Sequence, residues 1–171
     1  MGRYFRKILE SVSSPIFYAR EARLPIKRIL ICFSGLDNIS NAERIGLEIG
    51  KRAGAEVKFL HVVPPVESES LPSMEADKKP EKLMDRKPAK TLKKAQAHAK
   101  DEGIESNIVV RQGNIVQQIC AELKTQNYDL ICMGSYFSDP ENLRRHYAPN
   151  ITAEVAEAVD CPVLSVRASP L

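Results

Sequence analysis

Short apolar runs alternate along the chain with segments whose apolar residues recur at helical spacing, and this alternation restricts the fold more than any other feature. Within each run the apolar residues are largely continuous, as expected for strands that are covered on both faces. The runs span residues 29–33, 57–63, 107–111, 129–133 and 163–166. Five strands separated by four helices predict an α/β fold with a single doubly wound, mostly parallel sheet and helices on both of its faces.

Turn and capping residues set the limits of the predicted helices. Ser40 and Glu43 have the spacing of a capping box, and Gly54 follows the helix that they begin. The segment over residues 66–88 is rich in Pro, Ser, Glu and Lys and has no apolar periodicity. We therefore expect a mobile surface loop over residues 66–88, followed by a helix over residues 89–100.

Three of the predicted strands end next to small or polar residues that suit a binding cleft. Phe33 and Ser34 close the first strand, Val62 lies at the end of the second, and Met133 leads into Gly134–Ser135 after the fourth. In doubly wound sheets a ligand binds outside the carboxyl ends of the strands, where the strand order reverses. The sequence therefore predicts one cleft formed by these strand ends.

Composition excludes several classes of protein. A chain of 171 residues with 43% hydrophobic content suits one globular domain with some extension, and a formal charge of +3 is too small to indicate a nucleic-acid surface. No apolar run reaches the roughly 18 residues of a membrane span. The four cysteines lie in or beside apolar runs without metal-like spacing, so we expect reduced, structural thiols, no metal and a cytoplasmic protein.

Residues 29–35, 59–63, 128–135 and 151–167 together resemble the universal stress protein family. The last two stretches have the order of strand, phosphate-type turn, helix, and a short strand opened by proline. The resemblance implies one domain over residues 26–168, with a Rossmann-like sheet of five strands in the order 3-2-1-4-5.

The same resemblance draws attention to a phosphate-binding pattern that is altered here. ATP-binding members share Gly, two residues, Gly, nine residues, then Gly with Ser or Thr, because glycines let backbone amides approach the phosphates at a helix N-terminus. In this chain the first glycine is Gly134, Phe137 stands at the second, Pro149–Asn150 stand at the final pair, and the loop is two residues longer. Ser34 stands where ATP-binding members usually carry aspartate. The resemblance therefore implies that ATP is not bound in the usual family manner.

An anion site at the start of the last helix is the alternative. We expect Asn150 to cap that helix, over residues 151–159, and to leave the amides of Ile151 and Thr152 free for an anion. Basic residues at 144–146 lie just upstream, although a solvated loop is the simpler interpretation of them. ATP or another adenine nucleotide thus stays open as a ligand. The candidate cleft comprises Phe33, Ser34, Val62, Met133, Gly134, Ser135, Asn150, Ile151 and Thr152.

Residues 8–20 align without a gap on residues 155–167, at the other end of the chain. Both stretches combine a helical segment, a proline and a short apolar strand. The identical pairs are Glu10 and Glu157, Val12 and Val159, Pro15 and Pro162, and Arg20 and Arg167. We interpret residues 1–25 as a helix-strand arm that repeats the C-terminal unit, with chance similarity as the alternative.

A second copy of the terminal strand has three alternative consequences. In the resembled family the last strand pairs antiparallel with its mate in a dimer. The arm strand, predicted over residues 16–19, could extend that pairing, be exchanged between subunits, or cover the edge and prevent it. We expect a homodimer through strand 163–167, reinforced by the arm over residues 8–20, with neither nucleic acid nor membrane as a partner.

The sequence contains no catalytic constellation. His61 is best interpreted as a packed histidine near the cleft, and Gly134–Ser135 lacks the elbow of serine hydrolases and the glycines of dinucleotide and P-loop enzymes. Three functions follow in order of preference. The first is a non-enzymatic stress-response protein, the second is a nucleotide- or anion-binding sensor with slow ATP hydrolysis, and the third, suggested by fold analogy alone, is an enzyme on the same fold.

Overall fold

The computed structural model describes residues 8–9, 11–12, 14–21, 23–33, 41–63, 87–135 and 148–167. In this part of the chain six strands form a single sheet, and four helices cover it. The strands are β1 (Ile16–Tyr18), β2 (Arg28–Phe33), β3 (Glu56–Val63), β4 (Ser106–Gln112), β5 (Leu130–Ser135) and β6 (Val163–Arg167). The helices are α1 (Asn41–Ala53), α2 (Lys87–Asp101), α3 (Ile115–Leu123) and α4 (Ala148–Ala158).

The order of the strands in the sheet is β1-β6-β5-β2-β3-β4. Strands β2 to β6 pair in parallel throughout, which confirms the predicted α/β fold and the predicted order 3-2-1-4-5. The sheet has six strands rather than five because β1, from the predicted arm, joins it antiparallel to β6. The N-terminal extension is therefore part of the sheet.

Three element boundaries differ from the predicted ones by more than a residue, and the first is the end of β5, at Ser135 rather than Met133. Helix α2 begins at Lys87, so Pro88 lies in its first turn, where a missing amide hydrogen is tolerated. The segment predicted as a loop over residues 66–88 therefore overlaps the first two residues of this helix. Its other residues, 66–86, lie outside the described residues. Helix α4 begins at Ala148, three residues before the predicted start at Ile151.

The sheet separates two apolar clusters. One lies between the sheet and helices α1 and α2, and the other between the sheet and helices α3 and α4. Helix α1 approaches the first face closely at Gly46, because a Cβ atom there would lie 2.8 Å from Ile31 Cδ1 and 3.1 Å from Cys132 Sγ. The close approach explains why a glycine occupies a helix interior that otherwise disfavours it.

A buried carboxylate in α3 joins three elements on the second face. Glu122, 2% exposed, accepts two hydrogen bonds from Arg111, at 2.9 Å from Nε and 2.7 Å from Nη2. The Tyr128 hydroxyl donates to its other oxygen at 2.7 Å, and the Lys58 ammonium lies 3.4 Å away. Burial alone would raise the pKa of Glu122, yet the hydrogen bonds from Tyr128 and Arg111 outweigh it and the pKa is lowered. The cluster is a satisfied ionic contact between β3, β4 and α3.

The arm lies along the outer edge of β6. Ile16 pairs with Ser165, Phe17 with Leu164 and Tyr18 with Val163. Beyond the strand, Arg20 donates to Asp160 Oδ1 at 3.1 Å and to the carbonyl of Glu157 at 2.8 Å. The arm is also held by apolar contacts, because Leu9 is 3% exposed and Tyr18 packs against the apolar cluster between the sheet and helices α3 and α4.

Among the described residues, no helix has the length and apolar character needed to cross a membrane.

Candidate functional site

The carboxyl ends of β2 and β5 define the point at which the strand order reverses. The chain leaves β2 toward β3 on one side, while β5 lies on the other side of β2. Cys32 pairs with Met133, so Phe33, the last residue of β2, lies beside Gly134, the residue before the end of β5. The structure thus brings these two candidate residues to the predicted crevice.

Side chains of three candidate residues point into the apolar clusters rather than into the crevice. Phe33 is buried on the α1 and α2 face, whereas Val62 and Met133 are buried on the α3 and α4 face. Their contribution to a ligand would come from the backbone and from the shape of the strand ends. Sequence reasoning placed them near the cleft but could not assign the faces.

His61 supports the strand end beside the crevice. Its Nδ1 lies 3.0 Å from the carbonyl oxygen of Phe33, and the two rings meet edge to face with centroids 6.2 Å apart. The ring is 9% exposed. This packing matches the predicted role of a structural histidine. The imidazole of His61 also occupies the carbonyl oxygen of Phe33.

The start of α4 corrects one sequence prediction. Asn150 is the third residue of the helix and not its N-cap, because Ala148 and Pro149 already have helical backbone. In an α-helix that begins at Ala148, the amide of Thr152 points to the carbonyl of Ala148. That amide is therefore engaged within the helix and is not available to an anion, contrary to the prediction.

Thr152 contacts the crevice through its side chain instead. Its hydroxyl oxygen lies 3.5 Å from the carbonyl oxygen of Gly134, and the residue is 1% exposed. The contact ties the first turns of α4 to the end of β5. Ile151, the preceding residue, is partly exposed beside it.

The remaining candidates are described only in part. Ser34 lies outside the described residues, as do Phe137 and the basic residues at 144–146. The backbone of Ser135 and Asn150 is placed in β5 and α4, but their side chains are not described.

Three cysteines lie on strands or turns behind the crevice, and all four in the chain are free thiols. Burial, with a smaller contribution from Cys161, raises the pKa of Cys32 to about 12. Burial likewise raises the pKa of Cys132 above its usual range and that of Cys161 to about 11. Protonated thiols at neutral pH are neither nucleophiles nor metal ligands. Within the described residues no group of three His, Cys, Asp or Glu side chains could hold a metal ion.

Sequence reasoning missed the cluster around Glu122. Its members lie on β3, β4, α3 and the turn before β5, so no local spacing links them. The only available signal was a glutamate on the inward side of an amphipathic helix.

Three comparisons place the chain among known proteins. The model of the Universal stress protein family matches residues 25–167. No curated protein is significantly similar to the chain. Of the solved structures, a universal stress protein from Archaeoglobus fulgidus DSM 4304 matches at 15% identity with a TM-score of 0.68. The match covers 96% of this chain but 53% of that one, so the chain spans about half the length of that neighbour.

Two further neighbours were solved with nucleotides. A universal stress protein in complex with cAMP matches at 15% identity and a TM-score of 0.58, covering 84% of this chain and 98% of that one. The universal stress protein from Archaeoglobus fulgidus in complex with dAMP matches at 16% identity and a TM-score of 0.55, with the same coverage. At such identities the structures establish a shared fold, while the family model covers most of the sequence. The chain belongs to the universal stress protein family.

Proposed function

We propose that this chain is a non-enzymatic stress-response protein that works through protein contacts and does not hold ATP in the usual family manner. The observation that carries the proposal is the start of α4. Pro149 lies in the first turn of that helix, where the family pattern calls for glycine. Proline has no amide hydrogen, so a donor is missing from the place where phosphates approach a helix N-terminus.

Two further features support the proposal. The Thr152 hydroxyl faces the carbonyl oxygen of Gly134, so this hydroxyl is engaged by an acceptor within the protein. Phe137 stands in the sequence at the second glycine of the pattern and adds bulk. A cradle of backbone amides for a triphosphate needs small residues at these places.

A nucleotide- or anion-binding sensor, with slow ATP hydrolysis, is the second candidate function. The cAMP and dAMP complexes of two neighbours favour it, because adenine nucleotides without a triphosphate fit members of this fold. Its site would be the crevice at Phe33, Ser34, Val62 and 133–135, with 150–152 at the helix start.

Isothermal titration of the full chain with Mg-ATP tests the proposal, with AMP, cAMP and buffer as separate titrants. We expect no saturable heat up to millimolar Mg-ATP. Saturation at micromolar Mg-ATP would reject the proposal, and saturation by AMP or cAMP alone would favour the sensor. Pro149→Gly restores the missing amide and should increase affinity for ATP, whereas Pro140→Gly, nine residues upstream in the sequence, is the matched control.

The assembly and location that we propose are a homodimer through strand 163–167, together with the arm over residues 8–20, in the cytoplasm. The arm already occupies the edge of β6 over Val163–Ser165. A dimer through this strand therefore requires the arm to leave β6 of its own chain or to be exchanged with the arm of a second copy.

A further inference from the structure

The two outer edges of the sheet differ. Strand β1 pairs along the outer edge of β6, whereas β4 is the last strand on the opposite side and has no neighbour beyond it among the described residues. Strand β4 is seven residues long, and its Ile108, Val109 and Val110 are only partly buried. An uncovered edge rich in β-branched residues suits pairing with another extended strand.

The hydrogen bonds between β3 and β4 establish which backbone groups of β4 point outward. The amide of Val57 donates to the carbonyl of Glu105 at 2.9 Å, and the amide of Gly113 donates to the carbonyl of Val63 at 3.0 Å. Since backbone groups alternate between the two sides of a strand, the odd-numbered residues of β4 face β3. The amides and carbonyls of residues 106, 108, 110 and 112 therefore point to the outer edge.

One of these outward carbonyls shows which side of α2 lies over the edge. Helix α2 packs against β4, and the side-chain amide of Gln96 donates to the carbonyl of Ser106 at 3.0 Å. Residues three and four positions apart on a helix share one side, so Lys93 and Lys100 lie on the same side as Gln96. Both lysines are exposed. A basic side of α2 therefore follows the outer edge of β4.

The charge at this edge decides which kind of strand fits it. Within the described residues neither Lys93 nor Lys100 forms an ion pair with a carboxylate. A second copy of β4, paired antiparallel, would place both α2 helices on one face of the joined sheet and bring like charges together, which opposes the contact. Carboxylates at the same place would be attracted.

We propose that the outer edge of β4 is a docking site for an extended acidic segment of a partner protein. The segment would add a strand to the sheet through the outward groups of Ile108 and Val110, with acidic side chains on the α2 side, next to the two lysines. Its other side chains would lie on the opposite face beside Val109, where apolar residues fit. This inference rests on the proposed function through protein contacts and names the class of partner.

Fluorescence anisotropy of a labelled synthetic peptide, titrated with the full chain, tests the proposal. The peptide has seven residues, the length of β4, in which glutamate and valine alternate. We expect saturable binding that weakens as salt is added, because ion pairs at an exposed edge are screened. The same peptide with lysine in place of glutamate should not bind.

Charge reversal on α2 locates the contact. Lys93→Glu combined with Lys100→Glu should weaken binding of the acidic peptide by about tenfold or more, because both positions then repel its glutamates. Lys90→Glu combined with Lys94→Glu is the matched control, since these exposed residues lie farther around the same helix from Gln96. The control should change the affinity by less than about threefold. Circular dichroism checks that both variants are folded.

Methylation of the peptide backbone tests strand pairing itself. A strand bonds to one neighbour through every second residue, so one set of alternate amides faces β4 and the other set faces away. One peptide is methylated on its glutamate amides and another on its valine amides. We expect one of the two to lose binding and the other to retain it, and the peptide that loses binding identifies the direction of the added strand.

Four outcomes would overturn the proposal. Absence of binding by the acidic peptide at low salt would show that the edge accepts no such strand. Equal losses in the two lysine variants would show general attraction of anions to α2, and equal behaviour of the two methylated peptides would show that no strand is added. A dimer of the full chain that Val110→Pro, which removes an outward amide, converts to a monomer would assign the edge to a second copy.

Titration with Mg-ATP is a separate measurement from the peptide titrations. Binding of ATP would reject the proposed function without changing the peptide results, whereas failure of the acidic peptide would reject the docking site alone. The two failures are therefore distinguishable.

Discussion

At the scale of single residues, the carboxylate of Glu122 links the stability of the fold to pH. Its pKa is lowered in the folded chain, so the ionised form is favoured by folding. The stabilisation is complete above the pKa of the unfolded chain, about 4.3, and is lost as the pH falls through the lower pKa of the folded chain. Acid should therefore weaken the contact between α3 and β4.

Glu122→Gln removes the charge while keeping a similar shape. We expect a loss of about 3 kcal/mol of unfolding free energy at pH 7, because Arg111 and Lys58 keep their charges without a buried partner. Urea unfolding at pH 7 and at pH 4 measures the effect, which should shrink at the lower pH. Glu48→Gln, which breaks an exposed pair with Arg52, should change stability by less than about 1 kcal/mol at either pH. Equal losses in both variants would contradict this account.

The cysteines give a second prediction at this scale. Burial raises the pKa of all four thiols, and Cys132 and Cys161 are buried, whereas Cys120 is partly exposed. Cys32 is also partly exposed, but its pKa is raised to about 12. Because the thiolate is the reacting form, we expect Cys120 to react first with a thiol reagent at pH 8 and the two buried thiols to react only on unfolding. Mass spectrometry of peptides after brief labelling measures the order. Labelling in denaturant, where all four should react together, is the control.

At the scale of elements, the fit of α1 against the sheet depends on Gly46. Gly46→Ala should destabilise the chain by about 1–3 kcal/mol although alanine favours helices, because the new Cβ would overlap Ile31 Cδ1. Ile31→Val removes that atom. Thermal or urea unfolding of the double variant should show a smaller loss than the sum of the single variants. Strict additivity would mean that Ile31 is not the neighbour that resists the substitution.

The elements also show what sequence reasoning could supply. The apolar runs predicted the strands, since buried parallel strands have continuous apolar sequence, and the family resemblance implied their order in the sheet. The sequence predicts a start of α4 at Ile151 because Asn150 is a favourable N-cap, whereas the helix begins at Ala148 and accommodates Pro149 in its first turn. The contacts of Glu122 come from β3, β4 and the turn before β5 and have no local pattern. The faces to which Phe33 and Val62 point depend on the register of the whole sheet.

At the scale of the whole molecule, stability should fall from the centre of the sheet to β1. Strand β2 is paired on both sides, whereas β1 has three residue pairs on one side. Hydrogen exchange followed by mass spectrometry should therefore show faster exchange in a peptide over residues 14–21 than in one over residues 28–33. Equal protection would mean that the arm opens only when the whole domain unfolds.

The contact between the arm and β6 joins the two ends of the chain, and this has a consequence during synthesis. Arg20 and Asp160 are 140 positions apart. At about 5–20 residues per second, the ribosome needs roughly 7–30 seconds to complete that interval. The arm of a nascent chain therefore emerges long before its own β6 exists. Until its own β6 has been synthesised, the arm can pair only with β6 of another chain.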